Sequence, residues 1–197
     1  MVSPLSAAWC WYDPQGDCSF TAQDGLLIGA ANMRDLWHVN LSAPRLLQPA
    51  PSGDFAVQTV CGPIHAGADQ PAIGGLILWQ DPQHYLVLER GHFGAADISF
   101  RGCLDRADCF IGRGRLPAER IWLRLERLGR HVTALCSADG RDWSCAGTIE
   151  FPMPDEVEVM VGLHAIGTID RTIYHGAYPE GTAICFTTFE MWTTAAA

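Results

Sequence analysis

Apolar residues fall along this chain in short runs separated by turn-forming residues at intervals of about 8 to 15 positions. The runs are "DGLLIGAA", "GDFAVQTVC", "GGLILWQ", "HYLVLERG", "DISFRG", "IWLRLERLG", "HVTALCS", "SCAGTIEF", "VEVMVGLHA" and "AICFTTFEMW". Such spacing predicts the antiparallel strands of a sandwich or barrel. Two hairpins are marked by their turns, Asp-Pro in "WQDPQHY" and Asp-Gly in "SADGRDW". One segment, "LPAERIWLRLERLGR", reads two ways. Ile121, Leu125 and Leu128 between Pro117 and Gly129 fit a helix, whereas Ile121, Leu123 and Leu125 alternating with Trp122, Arg124 and Glu126 fit a strand. Nothing resembles a linker or a repeat, so residues 1–197 are expected to form one domain.

In strands, side chains two apart share a face. Leu86 and Leu88, like Ile121, Leu123 and Leu125, then mark the core side. The opposite positions are Gly75, Ile77 and Trp79, then Tyr85, Val87 and Glu89, then Trp122, Arg124 and Glu126, and finally Glu158, Met160, Gly162 and His164. Aromatic rings among carboxylates, a guanidinium and an imidazole suit a groove for a sugar or small polar ring compound, with rings to stack on and polar groups to orient the ligand. The same residues also suit a solvated outer face laced by cross-strand ion pairs.

The succession "GGLILWQDPQHYLVLERG", "IWLRLERLGRHVTALCSADGRDW" and "VEVMVGLHA" resembles the bacterial and fungal domain family numbered 1349 among domains of unknown function, similar to the C-terminal domain of some β-xylosidases. The resemblance runs from "DGLLIGAANMRDLW" to "FTTFEMW". It implies an all-β fold, a two-sheet antiparallel β-sandwich of the concanavalin A-like jelly-roll kind, and makes the ambiguous segment a strand. The chain departs from the family pattern in its extra cysteines, in an insertion "CLDRADCFIGRGRLP" and in a long late loop "IGTIDRTIYHGAYPEGTA". Related jelly rolls are mostly carbohydrate-binding modules, though the architecture also hosts glycosidases, lyases and small-molecule cyclases.

Charge narrows the partners. With 13 basic residues, all arginine, against 22 acidic ones, the net charge is −9 and no basic cluster follows a phosphate backbone, so nucleic acid is not an expected partner. No apolar run reaches the roughly 18 residues that span a bilayer, and "MVSPLSAAWCWYDPQG" lacks the charged start and apolar centre of a leader; a cytoplasmic, non-membrane protein is expected. Eight cysteines fall into suggestive pairs, Cys10 with Cys18, Cys103 with Cys109, Cys136 with Cys145, and Cys61 with Cys185. Disulfides and an oxidising compartment stay open beside free thiols, whereas the spacings do not suit zinc. In "CSADGRDWSC" a two-residue Asp139-Gly140 loop would set Cys136 opposite Trp143, whereas a Gly140-Arg141 turn or a four-residue loop would set it opposite Cys145.

No metal or cofactor is required by any motif, although Asp13, Asp17, Asp24 or Asp54 could offer oxygen ligands to a bracing Ca2+. Glycoside hydrolysis would need two facing carboxylates from Glu89, Glu126 and Glu158, and the Glu-x-Asp-x-x-Glu arrangement of jelly-roll glucanases is absent. The leading expectation is a non-catalytic carbohydrate-binding domain using Trp79, Tyr85, Glu89, Trp122, Arg124, Glu126 and His164 on one concave sheet. The alternatives are an enzyme using Glu89, Arg124 and His164 in the same groove, with residues 167–181 as a lid, and a protein-interaction module.

Overall fold

The computed structural model describes residues 8–23, 25–152, 157–172, 174 and 178–193. Among them the chain forms strands and no helix: β1 (Cys10–Tyr12), β2 (Ser19–Gln23), β3 (Gly25–Ala30), β4 (Arg45–Pro49), β5 (Phe55–Gly62), β6 (Gly74–Asp81), β7 (His84–Gly91), β8 (Gly94–Leu104), β9 (Ala107–Arg115), β10 (Ile121–Leu128), β11 (His131–Ser137), β12 (Ser144–Glu150), β13 (Met160–Ala165) and β14 (Thr182–Thr193). They build two seven-stranded antiparallel sheets, the first in the order β1-β4-β13-β6-β7-β8-β9 and the second in the order β12-β11-β10-β5-β14-β3-β2. The segment that fitted helix and strand equally is β10, held on both sides by β5 and β11. Pairing on two edges supplies every backbone partner that an isolated helix would have had to supply itself.

The aliphatic face read from the alternation is the core. Leu76, Leu78, Leu86, Leu88, Phe100, Val161 and Leu163 of the first sheet meet Phe55, Val57, Ile121, Leu123, Leu125 and Phe186 of the second. At about 25 cal/mol per Å² of apolar surface removed from water, this layer is what holds the sheets together. At one margin the sheets come together backbone to backbone: a Cβ on Gly112 of β9 would lie 1.6 Å from the carbonyl oxygen of Ala146 in β12. Only glycine permits that approach.

The stretch read as an insertion is a regular hairpin. Leu104 pairs with Ala107 across a two-residue turn in which Asp105 and Arg106 have φ of 51° and 68°. Both values are those of a type I′ turn, whose twist matches the strands. The hairpin of the two cysteines departs from both expected registers. Cys136 pairs with Ser144 and Leu135 with Cys145, after a bulge between Ala134 and Leu135. The one-residue offset puts the thiols on opposite faces of the sheet, Cys136 buried in the core and Cys145 exposed. All eight cysteines are free thiols.

Candidate functional site

The side chains expected together on one sheet divide between two. Trp79, Tyr85, Glu89 and His164 lie on the outward side of the first sheet, on β6, β7 and β13, whereas Trp122, Arg124 and Glu126 lie on the outward side of the second, on β10. The single concave groove is therefore corrected to two separate faces. Alternation tells which side of a strand meets the core, but not which sheet the strand joins.

The face of the first sheet is closed. Residues 31–44 and 166–172 cross it, and Leu36, Ala43, Ile166 and Ile169 pack on Leu47, Ile73, Ile77, Tyr85, Val87 and Cys103 as a second apolar cluster. Within it Glu89 is fully buried and gathers four contacts. Arg101 Nε donates to Oε1 at 2.6 Å and Nη2 to Oε2 at 3.2 Å, His164 Nε2 donates to Oε2 at 3.0 Å, and His92 Nδ1 lies 2.9 Å from Oε1 without hydrogen-bond alignment. His164 reaches Glu89 across β6, where Gly75 pairs with both residues. Arg101 also donates from Nη1 to the Leu36 carbonyl, tying the crossing segment to the cluster.

The charges are set by this packing. Burial opposes ionisation of Glu89, but Arg101, His92 and His164 overcome it and hold the carboxyl well below its usual range. Burial lowers the His164 imidazole and Glu89 only partly offsets it, so the ring is neutral and donates through Nε2. Trp79 stacks on Tyr85 with centroids 5.5 Å apart, and Arg45 lies 4.2 Å from the Trp79 ring. Arg171 pairs with Asp35 and sits 4.0 Å from the Trp37 ring, fastening the two crossing segments to each other. The enzyme trio of Glu89, Arg124 and His164 does not assemble: Glu89 and His164 touch, but the arginine on Glu89 is Arg101, from the neighbouring strand β8.

The face of the second sheet is open. Arg124 lies 3.9 Å from the ring of Trp143 and 5.5 Å from that of Trp192, in cation–π geometry. Its Nε and Nη2 donate to Gln58 Oε1 at 2.9 and 2.7 Å and its Nη1 to Glu126 Oε1 at 3.2 Å. Of the five guanidinium donors, two are left for a ligand. Gln58 in turn donates to Glu190 at 3.4 Å. The row follows the register, since Arg124 pairs with Gln58 and Gln58 with Glu190, while Glu126 pairs with Ala56 and Ala56 with Trp192. Trp122 borders the β11–β12 hairpin loop, where a Cβ on Gly140 would meet its indole nitrogen at 2.9 Å. Trp192 is 38% exposed, and Trp122, Trp143 and Arg124 are half-buried.

Asp13 and Asp17 come together with Cys18, their ligand atoms within 4.8 Å of one another. Asp13 already accepts from the Gly16 and Cys18 amides, and Asp17 is paired with Arg34. Asp54 accepts from the Gly129 amide, and Asp24 lies outside the described residues.

These two packed sheets define the class: an antiparallel β-sandwich of the jelly-roll kind. The chain matches no protein-family model and no curated protein. Among solved structures it is similar to a functionally unknown protein from Saccharomyces cerevisiae, with a TM-score of 0.70 and 16% identity over 96% of this chain and 98% of that one. A GH43 protein from Bacillus licheniformis gives 0.75 and 14% over 97% of this chain but 38% of that one. The carbohydrate binding module CBM66 from Bacillus subtilis gives 0.56 and 9% over 93% and 94%. At these identities the likeness is one of fold, and the chain spans 38% of the length of the GH43 protein.

Proposed function

We propose that the chain is a non-catalytic, lectin-like carbohydrate-binding domain and that the open face of the second sheet is its binding surface. The observation that carries the reading is the guanidinium of Arg124 fixed among Trp122, Trp143 and Trp192 with two donors unspent. Sugar rings present apolar C–H faces that stack on indoles and hydroxyls that accept from a fixed guanidinium. Glu126 and Glu190 supply acceptors for hydroxyl protons beside it. The likeness in fold to a carbohydrate binding module and to GH43 proteins supports the same reading, as do the motifs resembling the family numbered 1349 and its concanavalin A-like jelly roll. Of the residues expected from sequence, Trp122, Arg124 and Glu126 belong to this surface; Trp79, Tyr85, Glu89 and His164 act in holding the first sheet and its cover together.

A glycan array tests the proposal. The wild type binds at least one saccharide, and Trp122→Ala and Trp192→Ala, both on an outer face, fold normally and lose that signal. Binding to no saccharide counts against the carbohydrate reading. Saccharide binding that both variants retain counts against this surface.

A further inference from the structure

At one end of the sandwich a cavity of about 390 Å³ opens between the β5–β6 loop, the start of β8 and the β9–β10 connection. Its walls are formed largely by Pro63, Pro71, Ala72, Pro117 and Ala118, with buried Arg90 and half-buried Gln70 and Tyr174 as polar lining. Arg90 follows Glu89 on β7 and so points the opposite way, toward the inner layer at the end where the core gives out. It is 4% exposed.

The guanidinium of Arg90 is held by backbone alone: Nη1 donates to the Glu119 carbonyl and Nη2 to the Ala95 carbonyl at 2.8 Å, while Nε, also buried, has no partner. No carboxylate among the described residues lies within 4.0 Å of it. Arginine keeps its charge in any protein environment, and a buried charge requires an opposite one. Elsewhere in this chain Glu89 balances the buried Arg101, and the other buried arginine held by backbone carbonyls, Arg45, is covered by the rings of Trp79 and Tyr12, whereas no ring covers Arg90 among the described residues. Arg120, at the same end, likewise has a buried Nη1 without a partner, and both arginines act on the neighbouring Cys61. Tyr174 lies near enough for Arg90 to oppose the upward push that burial gives its phenol.

We infer that this cavity is a second small-molecule site, for a monocarboxylate carried on a single ring. The carboxylate balances Arg90, and the ring lies against the proline and alanine walls. A volume of this size suits one ring, at the lower end of ligand pockets. The carboxylates of Asp69 and Glu119 stand exposed at the rim, so a ligand with several negative charges is repelled at the mouth.

Titration of the protein with benzoate and glucuronate, set against neutral benzamide and glucose and read by ligand-observed NMR, tests the site. Binding of benzoate alone marks an aromatic acid, of glucuronate alone a sugar acid, and either supports the site provided the neutral analogue binds about tenfold more weakly or worse. Ala118→Phe, which fills the mouth and leaves the charge in place, abolishes the signal; Arg90→Gln lowers affinity about tenfold. The inference is overturned if neither acid binds, if the neutral analogues bind equally well, or if Ala118→Phe binds as the wild type does.

Discussion

Replacing Glu89 by Gln removes the one negative charge from a fully buried group of polar residues. The carboxylate receives Arg101 and His92 on one oxygen and Arg101 and His164 on the other, at 2.6 to 3.2 Å, with no exposed surface on any of them. An amide offers one acceptor oxygen in place of two, so at least one of the three hydrogen bonds from Arg101 and His164 loses its acceptor and Arg101 is left buried without a counter-charge. Breaking a buried pair in this way costs about 3–5 kcal/mol. For a domain of this length that is a fall in Tm of about 6–20 °C, measured by calorimetry and by urea unfolding at pH 7. Replacing both partners, as in Glu89→Leu with Arg101→Met, recovers a large part of the loss because no charge is then stranded. A loss below about 1 kcal/mol for Glu89→Gln, or a double variant whose cost equals the sum of the singles, refutes this account of the cluster.

The same cluster sets the acid limb of stability. Glu89 has a depressed folded pKa, so its contribution is present above the carboxyl's unfolded value of 4.5 and is lost as pH falls through the lower folded value. His164 is also depressed, its neutral form being favoured in the fold, so its contribution declines as pH drops below 6.5. His84, raised by Asp105 and Asp81 against its burial and more exposed, has the opposite sign and weakens above 6.5. Urea midpoints are expected to fall from pH 6.5 downward, with the carboxyl part of the limb missing in Glu89→Gln. Gly75→Ala puts a Cβ 2.1 Å from the Leu88 carbonyl oxygen and 2.8 Å from Leu123 Cδ1 of the facing sheet, and is expected to cost about 3 kcal/mol by urea unfolding. Alkylation of the native protein is expected at exposed Cys10 and Cys145 and, only after unfolding, at Cys61, Cys103 and Cys136; burial pushes the Cys61 thiol up to about 12. Non-reducing mass spectrometry finding a Cys136–Cys145 bridge would contradict the register of that hairpin.

The strands that build the core were legible because their alternation is uninterrupted, as in Leu76 with Leu78 and Ile121 with Leu123 and Leu125. β4 escaped notice between Pro44 and Pro49, and β9 because Gly112 and Gly114 break its apolar pattern and its turn is Asp105-Arg106, without the glycine that marks most type I′ turns. β1 and β2 are short edge strands with too few residues to show a period. For the candidate site, periodicity placed each residue on the correct side of its strand and left the sheet undetermined. A clue to the cover was present in Ile77 and Val87, which share a face with Trp79, Tyr85 and Glu89 and have no reason to be apolar on an open surface. The same alternation in "DISFRG" would have found Arg101 as the partner of Glu89. Trp143 was read as part of a turn, and Trp192 stands at the end of the last apolar run. Their meeting around Arg124 depends on β14 pairing with β5, a long-range contact that no local pattern encodes.

The central claim is that the open indole and guanidinium face of the second sheet holds the ligand. Isothermal titration of the strongest array saccharide into wild type, Arg124→Ala and Trp37→Ala tests it most directly, because Trp37 belongs to the cover of the first sheet. Arg124→Ala is expected to weaken binding about tenfold or more while Trp37→Ala binds as the wild type does. Affinity that survives Arg124→Ala and falls with Trp37→Ala would move the site to the first sheet and contradict the account.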